Sequence, residues 1–449
     1  MASFEDYLAL RGGSGLEAAR AVTSEVVLGE IEAAGLRGRG GAGFPTGTKW
    51  RTVCDLRSDA SPPTVIVNGA EGEPGTFKDH TILLNNPYQV IEGALIAATV
   101  VGAEDVIIAV KAAAQDVVRR VRGAVDEVCG GGVAGPLRLS VFEGPAEYLY
   151  GEETALLEAL HGRPPFPRVT PPYRRGAEDG ADETPPALID NVETLANIPG
   201  IVLNGAAWFR EYGTQQSPGT IVCTVTGGTQ QAGVGEFAMG TPMIEVIETL
   251  GGDREGRPIK ALMPGVSNAF IPASALQTEL TYEAMARVGS GLGSAGFVVI
   301  EEGDDIVAAT AGASRFLAVE SCGQCVPCKR DGLELSALLT KLAANEATTD
   351  DVEAIRSLSK TVSAEARCSL ASQHEAIVTS MFDLFGSDVA QHVDGTAEPT
   401  DRLLIAEIVS LRDGKAAIDV SREAKQPDWT CDGLDSGKTP VERLTSEGD

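Results

Sequence analysis

The apolar positions of this chain change period along its length, and each change marks a different kind of layer. Thr64–Asn68 and Val106–Val110 are short apolar runs that predict buried strands, and Leu137–Phe142 alternates in the manner of a strand. Between them the spacing lengthens. Residues 16–36 are expected to be helical as far as Gly35, and Asn86-Pro87 opens a helix to about Val101 with proline at its first position. Gln115–Val128 is a further helix. Strands alternating with helices predict an α/β layer.

From Gly219 the rhythm shifts. Thr220–Thr226, Val234–Phe237 and Phe297–Ile300 are expected strands, and Pro242–Leu250 is an expected helix, together a small α+β module resembling a β-grasp. After Cys328 the chain turns helical. Leu335, Leu338, Leu339 and Leu342 fall on one face, Asp351–Val362 repeats the period, and Ser372-Gln-His-Glu375 is an expected capping box for a third helix. The resulting division is 1–205 for an α/β domain, 206–305 for the β-grasp-like domain, 306–412 for a helical bundle and 413–449 for a loose tail. Residues 163–186 are proline-rich and expected to be a long irregular loop.

Composition narrows the function. The chain has 449 residues and a net charge of −28, which argues against nucleic acid and anionic membranes as partners. No apolar run is long enough for a membrane span, and the first residues carry no secretory pattern, so a cytoplasmic setting is expected, free or at the cytoplasmic face of a membrane complex. Eight cysteines in this length do not make a disulfide scaffold.

Three of those cysteines, Cys322, Cys325 and Cys328, form a C-x2-C-x2-C run, and Cys368 is a candidate fourth. A tight triple run suits a [4Fe–4S] cluster better than zinc, which usually takes cysteines in separated pairs; zinc or free thiols remain the alternatives. Cys431 stands alone. Gly38, Gly40 and Gly43 satisfy G-x-G-x-x-G, but a helix precedes them, so the Rossmann reading is rejected. What remains is a glycine-rich loop with Arg39 and Lys49 nearby, either a cradle for a phosphate or ring cofactor or a plain turn. Glu71 and Glu73 follow the strand ending at Asn68, where α/β sheets bind ligands, although a solvated acidic turn reads equally. Gly151 can open a helix whose first turn carries Glu152 and Glu153, facing either the helix dipole or a ligand.

Taken in order, Gly35–Trp50, Asn68–Asp79, Tyr148–Leu156, Asp190–Asn197 and Glu320–Cys328 with Cys368 resemble one family. It is the NADH-oxidising FMN/[4Fe–4S] flavoprotein subunit of respiratory complex I, with its counterparts in soluble NAD-reducing hydrogenases and NAD-linked formate dehydrogenases. The resemblance implies FMN contacts at Gly38, Arg39, Gly40, Gly41 and Lys49, and a further flavin shell at Asn68, Glu71, Tyr148, Gly151, Glu152, Asn191 and Thr194. Phe44, Glu73 and Glu153 match positions that face NAD(H), which makes the two carboxylates the catalytic candidates. Cys322, Cys325, Cys328 and Cys368 match the cluster ligands. The implied partners are a thioredoxin-like [2Fe–2S] subunit and a larger iron–sulfur or catalytic subunit.

The chain departs from the family pattern at Ala70, where a carboxylate is usual, and at Tyr150, where a cysteine is usual. Thr52 replaces an aromatic residue, Thr170 a lysine and Tyr173 a phenylalanine. Thr52 and Thr170 imply weakened dinucleotide binding, and a redox relay without efficient NAD(H) turnover is the alternative reading. The first motif lies close to the start, which favours a soluble enzyme over the respiratory complex.

Overall fold

Val65, Ile66 and Val67 are fully buried at the centre of a four-stranded parallel sheet. The computed structural model describes residues 1–58, 61–174, 176, 185–252 and 256–427. The strands are β1 (Thr64–Gly69), β2 (Asp105–Lys111), β3 (Arg138–Gly144) and β4 (Ala187–Asn191), in spatial order β3-β2-β1-β4. Every pairing is parallel. Val65 and Val67 belong to one apolar cluster and Ile66 to another, so β1 is covered on both faces and reads as a continuous apolar run.

The expected helices are present with shifted ends. Residues 16–36 resolve into Ser14–Arg20 and Ser24–Ala34, the second ended by Gly35 at φ 70°. Pro87–Val101 and Gln115–Gly130 match their expected positions. Pro87–Val101 packs on Val192–Asn204 so closely that a Cβ on Gly93 would lie 2.0 Å from the Leu195 carbonyl oxygen. Buried Glu92 ties the first residues to this layer, accepting from Tyr7 Oη at 2.5 Å, Gly13 N at 2.7 Å and Leu16 N at 2.9 Å.

A second, mixed sheet has the order β6-β5-β9-β7-β8, from β5 (Thr220–Gly227), β6 (Gly233–Ala238), β7 (Ile259–Met263), β8 (Ile271–Pro272) and β9 (Gly296–Glu301). The helix Met243–Gly251 packs against β5 and β6. A third layer is helical: Ile306–Glu320, Val326–Ala343, Thr349–Thr361, Leu370–Leu384 and Gly386–Val393. The three helices expected after the cysteine run are thus four.

Two local expectations are corrected. The helix expected to open at Ser372 starts two residues earlier, at Leu370, and the Ser372 hydroxyl donates to the Ser369 carbonyl instead of capping. The expected loose tail is structured as far as residue 427. β10 (Ile408–Arg412) and β11 (Lys415–Ile418) form a hairpin, and a short turn of helix follows at Val420–Ala424. Cys431, and residues 175 and 177–184 of the proline-rich loop, lie outside the described residues. No described helix is long and apolar enough to cross a membrane.

Candidate functional site

The order β3-β2-β1-β4 reverses its winding between β1 and β4, and open α/β sheets bind ligands at the C-terminal ends of such a pair. Here the register sets Asn68 beside Asn191. A cavity of about 350 Å³ opens there, and the glycine loop, the acidic loop after β1, the turn at Tyr148–Gly151 and the start of the helix Leu370–Leu384 all contribute to its walls. That volume is in the usual range for a small-molecule site, about 300–1,000 Å³.

The glycine loop is fixed from three sides. Gly38 N donates to the Phe44 carbonyl at 2.8 Å, Tyr282 Oη donates to the Gly38 carbonyl at 2.9 Å, and Arg39 N donates to Thr194 Oγ1 at 2.8 Å. Gly41 and Gly43 have φ of 128° and 62°, conformations only glycine adopts without strain. The helix Thr46–Leu56 follows; Thr46 N donates to the Leu36 carbonyl at 2.9 Å, and Gly40, Ala42, Gly43 and Phe44 of the loop line the same space as Thr46 and Lys49. Thr46 Oγ1 lines that space, buried and without a partner. A glycine-lined loop with a buried unpaired hydroxyl at the start of the following helix fits a phosphate-bearing cofactor.

The charged residues form two compensated groups. Lys49 Nζ donates to the Ile189 carbonyl at 2.6 Å and pairs with Glu153 at 2.5 Å and Asp190 at 3.5 Å. Burial lowers its proton affinity, but Asp190 and Glu153 outweigh burial and the net shift is upward. Lys78 is 1% exposed and reaches Asp79 at 2.7 Å, Glu193 at 2.9 Å and Asn191 Oδ1 at 3.1 Å. Glu71 accepts from Asp79 N at 3.0 Å and His80 N at 3.1 Å, capping the helix Lys78–Asn85. Burial, reinforced by Asp79, raises the Glu71 carboxyl to about 7. Burial likewise raises Glu73, Glu152 and Asp190. Acids outnumber lysines at the cavity, and burial makes each of these four carboxyls easier to protonate than it would be in water.

Of the residues singled out in the sequence, Gly38, Gly40, Phe44, Lys49, Asn68, Glu71, Glu73, Tyr148, Gly151, Glu152, Glu153, Asn191 and Thr194 all line this cavity. Arg39 and Gly41 do not. The Arg39 guanidinium turns away from it and donates to the carbonyls of Thr220, Pro218 and Arg37, fastening the loop to the second sheet. Glu152 caps the helix Glu153–Leu160, accepting from Thr154 N at 3.0 Å and Ala155 N at 2.8 Å. Tyr148 Oη donates to Glu73, whose other oxygen accepts from Val266 N at 2.8 Å. Thr46, Lys78, Asp79, Asp190 and Gln373 also line the cavity and were missed. Lys78-Asp79 sits inside a motif that was noticed, whereas Gln373 arrives from another layer with no local signal.

The departures have structural accounts. Tyr150 is fully buried and packs in one apolar cluster with Ala70. Thr52 Oγ1 donates to the Thr48 carbonyl of its own helix, and neither Thr52 nor Thr170 lines the cavity. Arg168 pairs with Glu158 and donates to the Gly176 carbonyl at 3.1 Å, so its cation is spent away from the cavity.

Cys322, Cys325, Cys328 and Cys368 line one small hollow together with Leu149, Pro167 and Leu370. Cys325 caps the helix Val326–Ala343 and Cys328 lies in its first turn. Ser321 Oγ lies 3.3 Å from Cys328 Sγ, and Gln324 Nε2 donates to Cys322 Sγ at 3.4 Å. Burial pushes the Cys328 thiol up to about 11 and Cys368 up to about 12, so the thiolates need a cationic centre to form. Among the described residues no three His, Cys, Asp or Glu side chains converge as a single-ion site. Four cysteines around a shared hollow fit a multi-iron cage instead. Leu149 and Leu370 line both this hollow and the larger cavity, forming a common wall.

The Glu71 shift has a measurable consequence. The folded carboxyl keeps its proton to a pH near 7, while the unfolded chain loses it near 4.5. The stability that this proton carries is present below 4.5 and declines as pH rises toward 7. Glu71→Gln is expected to make the slope of unfolding free energy against pH less negative across that window, read by denaturant titration of the cofactor-free chain. An unchanged slope would show that Glu71 ionises normally.

Comparison with known proteins agrees with these two sites. Residues 31–200 match the Nuo51 FMN-binding domain, and residues 308–392 match the NADH-ubiquinone oxidoreductase-F iron-sulfur binding region. The F 2 subunit of the NADH-quinone oxidoreductase of Rhizobium meliloti (strain 1021) is 36% identical over 85% of this chain and 93% of its own length. The HndC subunit of the NADP-reducing hydrogenase of Solidesulfovibrio fructosivorans is 33% identical over 87% of this chain and 81% of its own. A crystal structure of an NAD+-reducing [NiFe]-hydrogenase in the H2-reduced state superposes with a TM-score of 0.77 at 31% identity, over 87% of this chain and 66% of that one. With a crevice at a strand switch point, four cysteines beyond a leucine wall, and relatives this similar over most of its length, the chain belongs to the NADH-quinone oxidoreductase F-subunit family.

Proposed function

We propose that the β1/β4 cavity holds FMN and admits NAD(H), and that Cys322, Cys325, Cys328 and Cys368 hold the [4Fe–4S] cluster that takes the electrons onward. The observation that carries this reading is the shared wall of Leu149 and Leu370, which leaves the two sites one side chain apart. FMN, when bound, supplies the conversion between a two-electron hydride donor and a one-electron acceptor. Gly38, Gly40, Thr46 and Lys49 would bind its phosphate and ring edge, with Asn68, Glu71, Asn191 and Thr194 along its polar side. Phe44, Glu73 and Glu153 would face the dinucleotide, with Glu73 and Glu153 as the catalytic pair, and Tyr148 would stand in the flavin shell beside Glu73. Gly151 and Glu152 shape the adjoining turn, and Arg39 and Gly41 act by holding the glycine loop.

On this reading residues 1–205 form the flavin unit, 206–305 a β-grasp-like unit and 306–412 the cluster unit. The residues after 412 continue the cluster unit as far as 427 and are no longer read as a loose tail. The protein is expected in the cytoplasm, passing electrons to a thioredoxin-like [2Fe–2S] subunit and a larger iron–sulfur or catalytic subunit. Among the described residues one hollow is lined by four cysteines, so a chain that delivers electrons needs partners. Full physiological activity from a lone monomer purified from its native cell would refute this.

The central experiment is a visible spectrum of the purified chain during addition of NADH. Bleaching of a flavin band is the expected result, faster with NADH than with NADPH, because Glu73 and Glu153 suit ribose hydroxyls and repel an added phosphate. Equal rates would overturn the nucleotide choice. Single serine replacements at Cys322, Cys325, Cys328 and Cys368 should each remove the paramagnetic signal of the reduced cluster, and Cys431→Ser should not. A cluster signal that survives Cys368→Ser would overturn the fourth ligand.

The relay alternative rests on Thr52, Ala70 and Thr170, of which Ala70 lines the cavity and the other two do not. Thr170→Lys would restore the cation that the family carries at this position, on a stem long enough to extend toward the cavity where threonine does not, and is expected to lower KM for NADH about 10-fold with kcat little changed, because that contact is equal in ground and transition states. An unchanged KM, together with flavin that millimolar NADH does not reduce, would favour the relay.

A further inference from the structure

We propose that residues 402–425 form a strap that positions both cofactor sites at once, with Arg422 as the positioning residue. The strap lies outside both matched family regions, 31–200 and 308–392. It runs against the helix Ile306–Glu320, where Leu403 N donates to the Ala308 carbonyl at 3.1 Å. The fit there is close enough that a Cβ on Gly312 would lie 2.0 Å from the Leu403 carbonyl oxygen.

The Arg422 side chain is 9% exposed and holds three separate segments. Its guanidinium donates to Glu320 Oε1 at 2.9 Å, to the Ala146 carbonyl at 2.8 Å and to Glu407 Oε2 at 3.0 Å. Lys425 Nζ donates to the same Glu320 oxygen at 2.6 Å. The second Glu320 oxygen accepts from Tyr148 N at 2.9 Å. Glu320 therefore links the strap to the turn whose Tyr148 Oη donates to Glu73 inside the cavity. Ser321 and Cys322 follow Glu320 directly, so the same clamp sets the start of the cysteine loop. A further thread runs beneath the acidic loop. Lys111 Nζ, buried and without a hydrogen-bond partner, lies 3.6 Å from Glu407, and a Cβ on Gly72 would meet that ammonium at 2.4 Å.

The Glu320 side chain is 1% exposed, and a buried carboxylate stripped of its partners must move or be neutralised. Its movement would carry Tyr148 on one side and Cys322 on the other. A clamp serving only general stability would leave flavin affinity and the cluster environment untouched.

This inference rests on the proposed cofactor assignment, and its test separates the two. Arg422→Ala, Arg422→Lys and the surface control Arg138→Ala would be compared in the full chain reconstituted with FMN and the cluster. Arg138 is 65% exposed, lies outside the strap and the cavity lining, and pairs with Glu104 and Asp105 at the opposite end of the first sheet. Arg422→Ala is expected to raise both Kd for FMN and KM for NADH about 10-fold, as loss of one charge-assisted hydrogen bond does, and to change the line shape of the reduced cluster's paramagnetic signal. Arg422→Lys keeps the charge but loses the fork, so it should fall between, and it carries the test should Arg422→Ala not fold. Arg138→Ala should match the wild type. A lowered melting temperature with unchanged Kd, KM and line shape in the Arg422 variants would overturn the strap. A wild-type chain that takes up no FMN would sink the flavin assignment, and the strap would then stand or fall on the cluster signal alone.

Discussion

The reversal of winding between β1 and β4 is the constraint on which the site depends. Adjacent parallel strands whose connections depart in opposite directions cannot both be roofed at their C-terminal ends, so a crevice must open between them. In this chain the glycine loop and the acidic loop both line that crevice. Asn68 and Asn191 sit in register at its floor. The side chains there are held by the strands themselves, whose apolar residues are buried on both faces.

Such a crevice collects backbone amides and carboxylates in a place with little water, which is costly unless charges are matched. The chain does this with two lysines that never reach solvent freely. Lys78 satisfies Asp79 and Glu193, and Lys49 satisfies Asp190 and Glu153. Further acids remain, and burial raises the Glu71 carboxyl to about 7 and pushes those of Glu73 and Glu152 upward. Opposite charges locked in place also cost nothing to reorganise when a ligand enters, which is the general advantage of a preorganised polar site.

The helical layer brings the second centre to the first. Leu370 begins a helix of that layer and Leu149 belongs to the turn after β3, yet the two form one wall. The strap after residue 400 reinforces this junction by clamping Glu320 from outside. A separation of one side chain is useful to an electron only if the two layers do not drift, and buried ion pairs resist drift because breaking one leaves an unpaired charge.

The strands, most helices and the cysteine spacing were legible in the sequence because each depends on neighbours a few residues away. Period two or four, proline at a helix start and glycine at a helix end are local signals, and Thr64–Gly69, Pro87–Val101 and the end at Gly35 fell close to where they point. Most of the non-cysteine site residues also line the cavity, since short motifs carried them. The exceptions share one physical cause, that partner choice over long separations is set by packing. Arg39 looked like a cofactor ligand, but carbonyls near residue 220 captured its guanidinium. Gln373 carried no motif and reached the cavity only because its helix docks there. Residues 413–427 read as a tail because no helical or strand period marks them; tertiary structure brought Arg422 and Lys425 to Glu320, a hundred residues earlier, where burial makes pairing compulsory.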